Sequence, residues 1–314
     1  MHNTSGISAE LYQIQCLLYI SAQIVLKFTH ENSSLKESLM KFDVLTLFPE
    51  LIDACSSQSI LGRAREKDLI KIATHNFRDF ATDKHRTVDD RPYGGGPGMV
   101  LKCEPIFACI ENITSNLEQM PKMILLTPQG RTFNQKLAQE LSADEHLLML
   151  CGHYEGFDER IREGFDWLEI SIGDYVISGG ELAALVIIDA VSRLLPCVLG
   201  DDYSSDFESF ESGNLLDFPA YTRPFDFRGK KVPEILLSGN HEKVAKWRMK
   251  QSIERTELRR PDLKTNENEI LTKFMQLPGL QRERKKLKFP AFLNSKQKNS
   301  KRKNINGENN GSAH

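Results

Sequence analysis

The spacing of hydrophobic and polar positions changes in a regular way between positions 40 and 200. Short runs rich in apolar residues alternate with stretches in which apolar residues recur every three or four positions. The short runs predict strands at 42–48, 69–75, 123–127, 146–151 and 167–171. The other stretches predict helices at 49–67, 104–116, 133–141, 158–163 and 181–195. This alternation predicts an α/β fold with a mostly parallel sheet covered by helices on both faces.

The segments outside this region have a different composition. Residues 1–39 keep a helical spacing that glutamines interrupt, so we interpret them as an N-terminal extension or a mis-assigned start before a fold that begins at Met40. Asp, Glu and Ser dominate 201–213, which is typical of a linker. Residues 214–290 predict a small helical domain, with helices near 241–252 and 267–277. Residues 291–314 predict a basic, disordered tail.

Composition excludes several classes of protein. With 314 residues and a formal net charge of −2, the chain does not resemble a protein that coats nucleic acid by charge alone, although a local basic surface is compatible with that average. The six cysteines are scattered and predict neither a zinc site nor a disulfide framework. Asp189 and Arg193 interrupt the longest apolar run, so we expect a buried helix there and no membrane span. No basic start typical of a secretory signal is present, and we expect a cytoplasmic protein.

Three segments rich in glycine and polar residues follow predicted strands, at 127–131, 151–160 and 171–181. In open α/β sheets, ligands bind beyond the carboxyl ends of the strands. Glycine lets a backbone approach a ligand closely, and Ile172, Val176 and Ile177 are apolar residues that suit the two faces of an adenine ring. Each loop alone is better explained as a tight turn that needs a positive φ. Three such loops in succession favour a ligand site.

The usual signatures of phosphate binding are missing from the sequence. No G-x-x-x-x-G-K-[ST] loop occurs, and no G-x-G-x-x-G follows the first strand, which argues against a nucleotide-dependent phosphotransferase. The glycine-rich stretch 93–98 follows a charged loop and does not lead from a strand into a helix. We therefore expect it to be a lid or a substrate-contact loop.

Several strings, taken in order, resemble the bacterial tRNA (guanine-N1)-methyltransferases of the TrmD type. They are Phe48-Pro49-Glu50, the run from His85 through Met99, Pro128-Gln129-Gly130-Arg131, Tyr154-Glu155-Gly156 through Arg160, Ser171 to Leu182, Tyr221-Thr222-Arg223-Pro224, and Leu237-Ser238-Gly239-Asn240-His241. The resemblance extends from Met40 to about Asp262. It covers neither 1–39 nor the basic tail.

This resemblance implies a knotted, parallel-sheet methyltransferase domain of the SPOUT class over 40–200, followed by a helical tRNA-binding domain over 214–290. It implies a homodimer that uses S-adenosylmethionine to methylate the guanosine immediately 3′ of the anticodon. Members of the family also use magnesium, which only the resemblance suggests for this chain. The residues that it assigns to the donor pocket are Leu125, Leu126, Thr127, Pro128, Gly152, Tyr154, Glu155, Ile172, Gly173, Asp174, Tyr175, Val176, Ile177, Gly179 and Gly180. The sequence itself contains no metal-ligand cluster.

The chemistry of the reaction requires a base, because guanine N1 carries a proton at neutral pH. In the family that this chain resembles, the base is an Asp at the position of Glu208. The Glu208 side chain is one methylene longer than Asp, and Asp206 is a nearby alternative for the base. The resemblance also makes Arg193 an essential arginine that stabilises the charge developing on the base. From spacing alone, a surface pair with Asp189 at i, i+4 is the more common role for such an arginine, and only the resemblance favours catalysis. Ala183 and His153 are further departures from the family pattern, at positions where Pro and Arg are usual.

The substitution of Glu for Asp at 208 keeps a second class of function open. A protein with this fold that binds RNA without catalysing the transfer has the same motifs apart from the base. Transfer of a labelled methyl group to tRNA separates the two hypotheses.

Overall fold

The computed structural model describes residues 39–199, 208–210 and 215–263. These residues belong to two compact units that divide between positions 200 and 201. The first unit contains the α/β region, and the second contains the described residues after the linker.

The first unit is built on a parallel sheet. Its strands are β1 Met40–Thr46, β2 Ile70–Asn76, β5 Lys122–Thr132, β6 His146–Leu150 and β7 Leu168–Ser171. They lie in the order β2-β1-β6-β5-β7, and every neighbouring pair is parallel. Two short strands, β3 Asp89–Asp90 and β4 Val100–Leu101, form a separate antiparallel pair. The predicted α/β fold with a parallel sheet is confirmed.

The helices of this unit follow the strands in the predicted alternation. They are α1 Pro49–Ser56, α2 Ser59–Glu66, α3 Cys103–Thr114, α4 Gln135–Leu141, α5 Glu159–Gly164 and α6 Glu181–Ser192. The prediction of one helix over 49–67 is wrong, because the chain turns at Ser57 and starts a second helix. A Cβ at Gly62 would lie 2.4 Å from the Ser57 carbonyl oxygen, so the second helix folds back closely on the end of the first. This turn lets both helices bury their apolar sides in the same core.

Strand β5 is longer than the predicted 123–127. Its pairing with β7 jumps from Leu126 to Arg131, and both residues align with Ile170. The predicted loop at 127–131 is therefore largely a bulge within β5, the strand next to the edge strand β7. Pro128 has no N–H to give to the ladder, which explains why the chain leaves the sheet there and rejoins it afterwards.

The two faces of the sheet carry separate apolar cores. Alternation along β1 sends Phe42 and Val44 to one face, which α1, α2, α4 and α6 cover, and Leu45 to the other, which α3 covers. Strand β6, which pairs with β1, divides in the same way, with Met149 on the first face and Leu150 on the second. Within the described residues, no helix is both long and apolar enough to cross a membrane.

The second unit contains a small hairpin, β8 Asp226–Phe227 and β9 Lys230–Lys231, a 3-10 turn at Glu234–Leu237, and α7 His241–Arg259. Asn240 caps α7, since its side chain accepts a hydrogen bond from the Lys243 N–H at 3.0 Å. This helix is longer than the predicted 241–252, because neither Gly nor Pro occurs between position 252 and Pro261. The predicted helix at 267–277 lies outside the described residues.

Candidate functional site

A cavity of about 490 Å³ lies at the carboxyl edge of the parallel sheet in the first unit. Three segments surround it: the bulge of β5, the loop after β6 and the loop after β7. The lining residues are Leu126, Thr127, Pro128, Gln129, Gly152, His153, Tyr154, Glu155, Gly156, Phe157, Arg162, Ile170, Ser171, Ile172, Gly173, Tyr175, Val176, Ile177, Ser178, Gly179, Gly180 and Ala183. Its size suits a ligand of the mass of a nucleoside derivative.

The loop after β6 and the loop after β7 are fastened to each other by backbone contacts. The Gly180 N–H donates to the Gly152 carbonyl at 2.9 Å, and His153 pairs with Gly179 as an antiparallel bridge. A Cβ on Gly180 would lie 2.7 Å from the Cys151 Cα and 2.9 Å from the Gly152 nitrogen. Only glycine allows this approach of two main chains. The contact fixes the back wall of the cavity.

A buried carboxylate joins these loops to the sheet. Glu181, the first residue of α6, is 2% exposed, and both of its carboxylate oxygens have partners. The Thr46 hydroxyl donates to Oε1 at 2.6 Å, and the His153 ring nitrogen Nε2 lies 2.9 Å from Oε2. Because a buried carboxylate is costly without such partners, the network holds the start of α6, the end of β1 and the loop after β6 in one arrangement.

The cavity wall also contains a cation that the sequence analysis did not identify. Arg162 of α5 donates to Thr127 Oγ1 at 3.3 Å and to Glu169 Oε2 at 3.2 Å. Burial lowers the pKa of this guanidinium, but Glu159 and Glu169 outweigh that effect and the pKa is raised. Arg162 stays protonated, and its charge is balanced by Glu169 and by Glu159, whose Oε2 lies 2.8 Å from Nη1.

Cys151 lies directly behind the cavity and is fully buried. Burial raises the pKa of its thiol well above the ordinary value, and the neighbouring charge of Glu181 raises it further. A protonated, enclosed thiol is a poor nucleophile. Its position fits a packing role and not covalent catalysis.

The glycine-rich loop leads directly to this site. The Glu155 N–H donates to the Met99 carbonyl at 3.0 Å, and the Leu101 N–H donates to the Gly156 carbonyl at 2.9 Å. Gly98 has a φ of +79°, and a Cβ there would meet the Glu155 side chain at 2.4 Å. The stretch that the sequence marked as a lid or substrate-contact loop thus ends against the cavity loops.

Most residues of the expected donor pocket line this cavity. They are Leu126, Thr127, Pro128, Gly152, Tyr154, Glu155, Ile172, Gly173, Tyr175, Val176, Ile177, Gly179 and Gly180. Leu125 and Asp174 do not. The side chain of Leu125 is fully buried in the core on the other face of the sheet, because neighbouring positions of a strand point to opposite sides.

The lining residues that the expected set omitted are of two kinds. Gln129, His153, Gly156, Phe157, Ser171 and Ser178 belong to loops that the sequence had already indicated. Ile170, Arg162 and Ala183 belong to a strand and two helices. Arg162 is brought to the cavity only by the packing of α5 beside β5, and its spacing along the chain gives no signal of this.

The two expected catalytic residues belong to different units. Arg193 follows α6 in the first unit, is half-buried, and gives its backbone N–H to the Asp189 carbonyl at 3.1 Å. Glu208 is exposed and begins a short described segment of the second unit. That segment is held by the Phe210 N–H, which donates to the Leu215 carbonyl at 2.8 Å, and by a contact of 3.2 Å between the Ser209 hydroxyl and Asp217 Oδ1. Asp206 lies outside the described residues.

Comparison with known proteins gives a consistent result. The model of a family described as tRNA (Guanine-1)-methyltransferase TrmD matches residues 40–266. Proteins named tRNA (guanine-N(1)-)-methyltransferase align over 224 residues, or 71% of this chain. The protein of Anoxybacillus flavithermus is 58% identical over 91% of its own length, that of Dehalococcoides mccartyi 56% over 90%, and that of Bacillus cereus 55% over 91%. The resemblance indicated by the sequence motifs is confirmed.

Proposed function

The chain belongs to the tRNA (Guanine-1)-methyltransferase TrmD family, and from this premise we propose that it transfers a methyl group from S-adenosylmethionine to N1 of a guanosine in tRNA. The observation that carries the proposal is the cavity at the carboxyl edge of the sheet, with its two backbone-linked loops. We expect the reaction to take place in the cytoplasm, at the guanosine immediately 3′ of the anticodon.

The lining of the cavity fits S-adenosylmethionine. Ile172 and Ile177 supply apolar surface for adenine, and the backbone of the loops supplies donors and acceptors for its edges. Arg162, which also pairs with Glu159 and Glu169, supplies guanidinium N–H donors for the carboxylate of the methionine part. When bound, the donor supplies a methyl group activated by the sulfonium. Leu125 and Asp174 would act indirectly, by holding the strand and the loop that carry the lining residues.

In this proposal, Glu208 and Arg193 catalyse the reaction at the guanine that accepts the methyl group. Glu208 would remove the proton from guanine N1, and Arg193 would stabilise the negative charge that spreads to O6. The exposure of Glu208 supports this role, since an exposed carboxylate is accessible to a large substrate. Asp206 stays an alternative base.

A homodimer is supported by an apolar face on the first unit. Phe48, Leu51, Leu182 and Val186 are large, apolar and exposed, and they come from α6, α1 and the residue that precedes α1. The helices α1 and α6 contact each other, so these side chains share one surface. Asp189 and Arg193 continue the stripe of Leu182 and Val186 at helical spacing. In a symmetric dimer through this face, Arg193 would lie at the interface.

We also propose the trefoil knot of the SPOUT class. After the edge strand β7, the chain passes the loop that follows β6, where Gly179 and Gly180 make their contacts. It then returns through α6 to pack on α1, α4 and β1. This path supports threading of the chain through its own loops.

The magnesium requirement implied by the resemblance stays a prediction. Within the described residues, no group of three or more His, Cys, Asp or Glu side chains is arranged to hold a metal ion. No step of the mechanism proposed for Glu208 and Arg193 depends on one.

Two measurements test the proposal. Calorimetric titration with S-adenosylhomocysteine should give saturable binding, and single-turnover assays should transfer a labelled methyl group to unmodified tRNA. Donor binding without transfer would instead support the non-catalytic RNA-binding protein. Absence of donor binding would contradict the assignment of the cavity.

A further inference from the structure

The second unit contains a cavity of its own, of about 470 Å³. It lies among the segment 218–225, the 3-10 turn Glu234–Leu237 and the first half of α7. The lining residues are Phe218, Pro219, Ala220, Tyr221, Thr222, Arg223, Phe225, Val232, Leu236, Leu237, Val244 and Arg248. Two of the family-typical strings, at 221–224 and 237–241, contribute to it, although the donor site uses neither.

The wall of this cavity combines exposed aromatic rings with guanidinium groups. Tyr221 is 49% exposed and Phe225 is 45% exposed. The Arg248 guanidinium lies 4.6 Å from the centre of the Phe218 ring, and the Tyr221 ring lies 6.5 Å from that of Trp247. Half-buried Val232, Leu236 and Val244 complete an apolar wall. Aromatic rings and arginine planes are the surfaces on which unpaired bases stack.

The charge of the unit favours an anionic ligand. Residues 215–263 contain 11 Lys and Arg against 7 Asp and Glu, whereas residues 39–199 contain 16 against 24. Among the described residues that line the cavity, Arg223 and Arg248 are charged and none is acidic. A nucleotide presents the matching combination of a flat apolar base and a negative phosphate.

We propose that this second-unit cavity holds one unpaired nucleotide of the tRNA, with its base against Tyr221 and Phe225 and its phosphate beside Arg223. This inference rests on the proposed function, because it takes tRNA as the substrate. Most of the described lining residues are apolar or aromatic, so the cavity offers mainly a stacking surface for an unpaired base. It anchors the anticodon loop and contributes to tRNA affinity without taking part in the transfer of the methyl group.

The test compares variants of the full chain that differ only in their relation to the cavity. Phe225→Ala removes an aromatic ring that lines the cavity. Phe227→Ala is the matched control, since Phe227 lies two residues further along the chain, is 59% exposed and does not line the cavity. Arg223→Gln and Arg228→Gln form the corresponding pair for charge. We expect Phe225→Ala and Arg223→Gln to weaken binding of unmodified tRNA by about ten-fold or more, and each control to stay within about three-fold. Affinity for S-adenosylhomocysteine should be the same in all four variants.

A second measurement identifies the nucleotide. Single abasic substitutions at the unpaired positions of the anticodon loop should include one that weakens wild-type binding to a similar extent. With that RNA, Phe225→Ala should cause no further loss, because both changes remove the same contact.

Equal tRNA affinity in Phe225→Ala and Phe227→Ala would overturn the proposal while leaving methyl transfer intact. So would a Phe225→Ala variant that changes the oligomeric state, since the cavity would then be a protein contact. Failure of the proposed function is recognised separately, by the absence of N1-methylguanosine with the wild-type chain.

Discussion

At the scale of single residues, Gly180 shows how the sequence fixes the shape of the cavity at the carboxyl edge of the sheet. Its backbone touches that of Cys151 and Gly152, and any side chain would press on main-chain atoms that cannot rotate away. The residue has an ordinary φ of −77°, so the requirement for glycine is one of space and not of backbone conformation.

Gly180→Ala should therefore displace one loop of the cavity. We expect the affinity for S-adenosylhomocysteine, measured by calorimetry, to fall at least about ten-fold, because the backbone groups that line the site move. Ser115→Ala is the control, since Ser115 is exposed and does not line the cavity, and it should stay within about three-fold. Wild-type affinity in Gly180→Ala would mean that the ligand does not contact these loops.

Glu208 is the residue on which the proposed proton transfer depends. Glu208→Gln keeps the size of the side chain and removes its basicity, so we expect single-turnover transfer to slow by about 10²–10⁴-fold with unchanged donor affinity. Glu208→Asp keeps a carboxylate on a side chain one methylene shorter and should keep measurable activity. A Glu208→Gln variant with a wild-type rate would transfer the role to Asp206 or to another group.

At the scale of elements, three neighbouring strands are linked by a carboxylate on the α3 side of the sheet. Asp43 of β1 lies 2.5 Å from the Nε2 atoms of both His75 of β2 and His146 of β6. Burial raises the pKa of this carboxyl group, but the contacts with His146 and His75 outweigh burial and hold the pKa well below its usual range. Cys109 of α3 faces the same group, and its own thiol pKa is raised to about 12, mainly by burial. The carboxylate is therefore ionised throughout the pH range in which the protein functions.

Asp43→Asn should lower the free energy of unfolding at pH 7 by about 1–3 kcal/mol, because it removes a charged partner from two histidines. An Asp in the unfolded chain has a pKa of about 3.9. Because the folded-state pKa of Asp43 lies below this value, the ionised carboxylate stabilises the fold above about pH 4, and this stabilisation is lost as the pH falls further. The difference between wild type and variant should hold down to about pH 4 and shrink below it. Urea unfolding at pH 7, 5 and 3 measures this, with the exposed Glu118→Gln as control. A difference that does not change with pH would show that the carboxylate charge has no part in it.

The apolar stripe of α6 gives a second prediction at this scale. Val186 is 46% exposed, and Val186→Asp would bring a charge into a symmetric interface. We expect a monomer in sedimentation velocity and a loss of methyl transfer. Met120→Asp changes an exposed apolar residue, 61% exposed, outside α1 and α6, and should leave the mass unchanged. Equal masses for Val186→Asp and wild type would move the interface elsewhere.

The elements also show how far the sequence could be interpreted. Strands and helices of the first unit follow from their sequence pattern, because each helix buries one side against the sheet and the central strands are short apolar runs buried on both faces. The bulge of β5 and the break between α1 and α2 do not. The bulge depends on a distant segment, since β7 pairs with both halves of β5, whereas the break is a local turn at Ser57–Ser59, where Ser59 has a positive φ of 54°. The same limit applies to Arg162 and Glu181, whose positions at or beside the cavity depend on tertiary contacts.

At the scale of the whole molecule, charge and chemistry are divided between the two units. The sheet-based unit is acidic in its described residues and contains the cavity proposed for the methyl donor, whereas residues 215–263 of the second unit are basic and contain the cavity lined by aromatic residues. An overall charge of −2 conceals this division. It explains why composition alone gives no indication of an RNA substrate, while the sequence motifs and the two cavities do.

The most direct test of the central claim is nucleoside analysis of tRNA after reaction. Purified protein is incubated with unmodified tRNA and S-adenosylmethionine, and the digested RNA is mapped by mass spectrometry. We expect one N1-methylguanosine, immediately 3′ of the anticodon, which is absent when the donor is omitted. Methylation of another atom or another nucleotide, or no methylation at all, would contradict the assignment of this chain as a tRNA guanine-N1 methyltransferase.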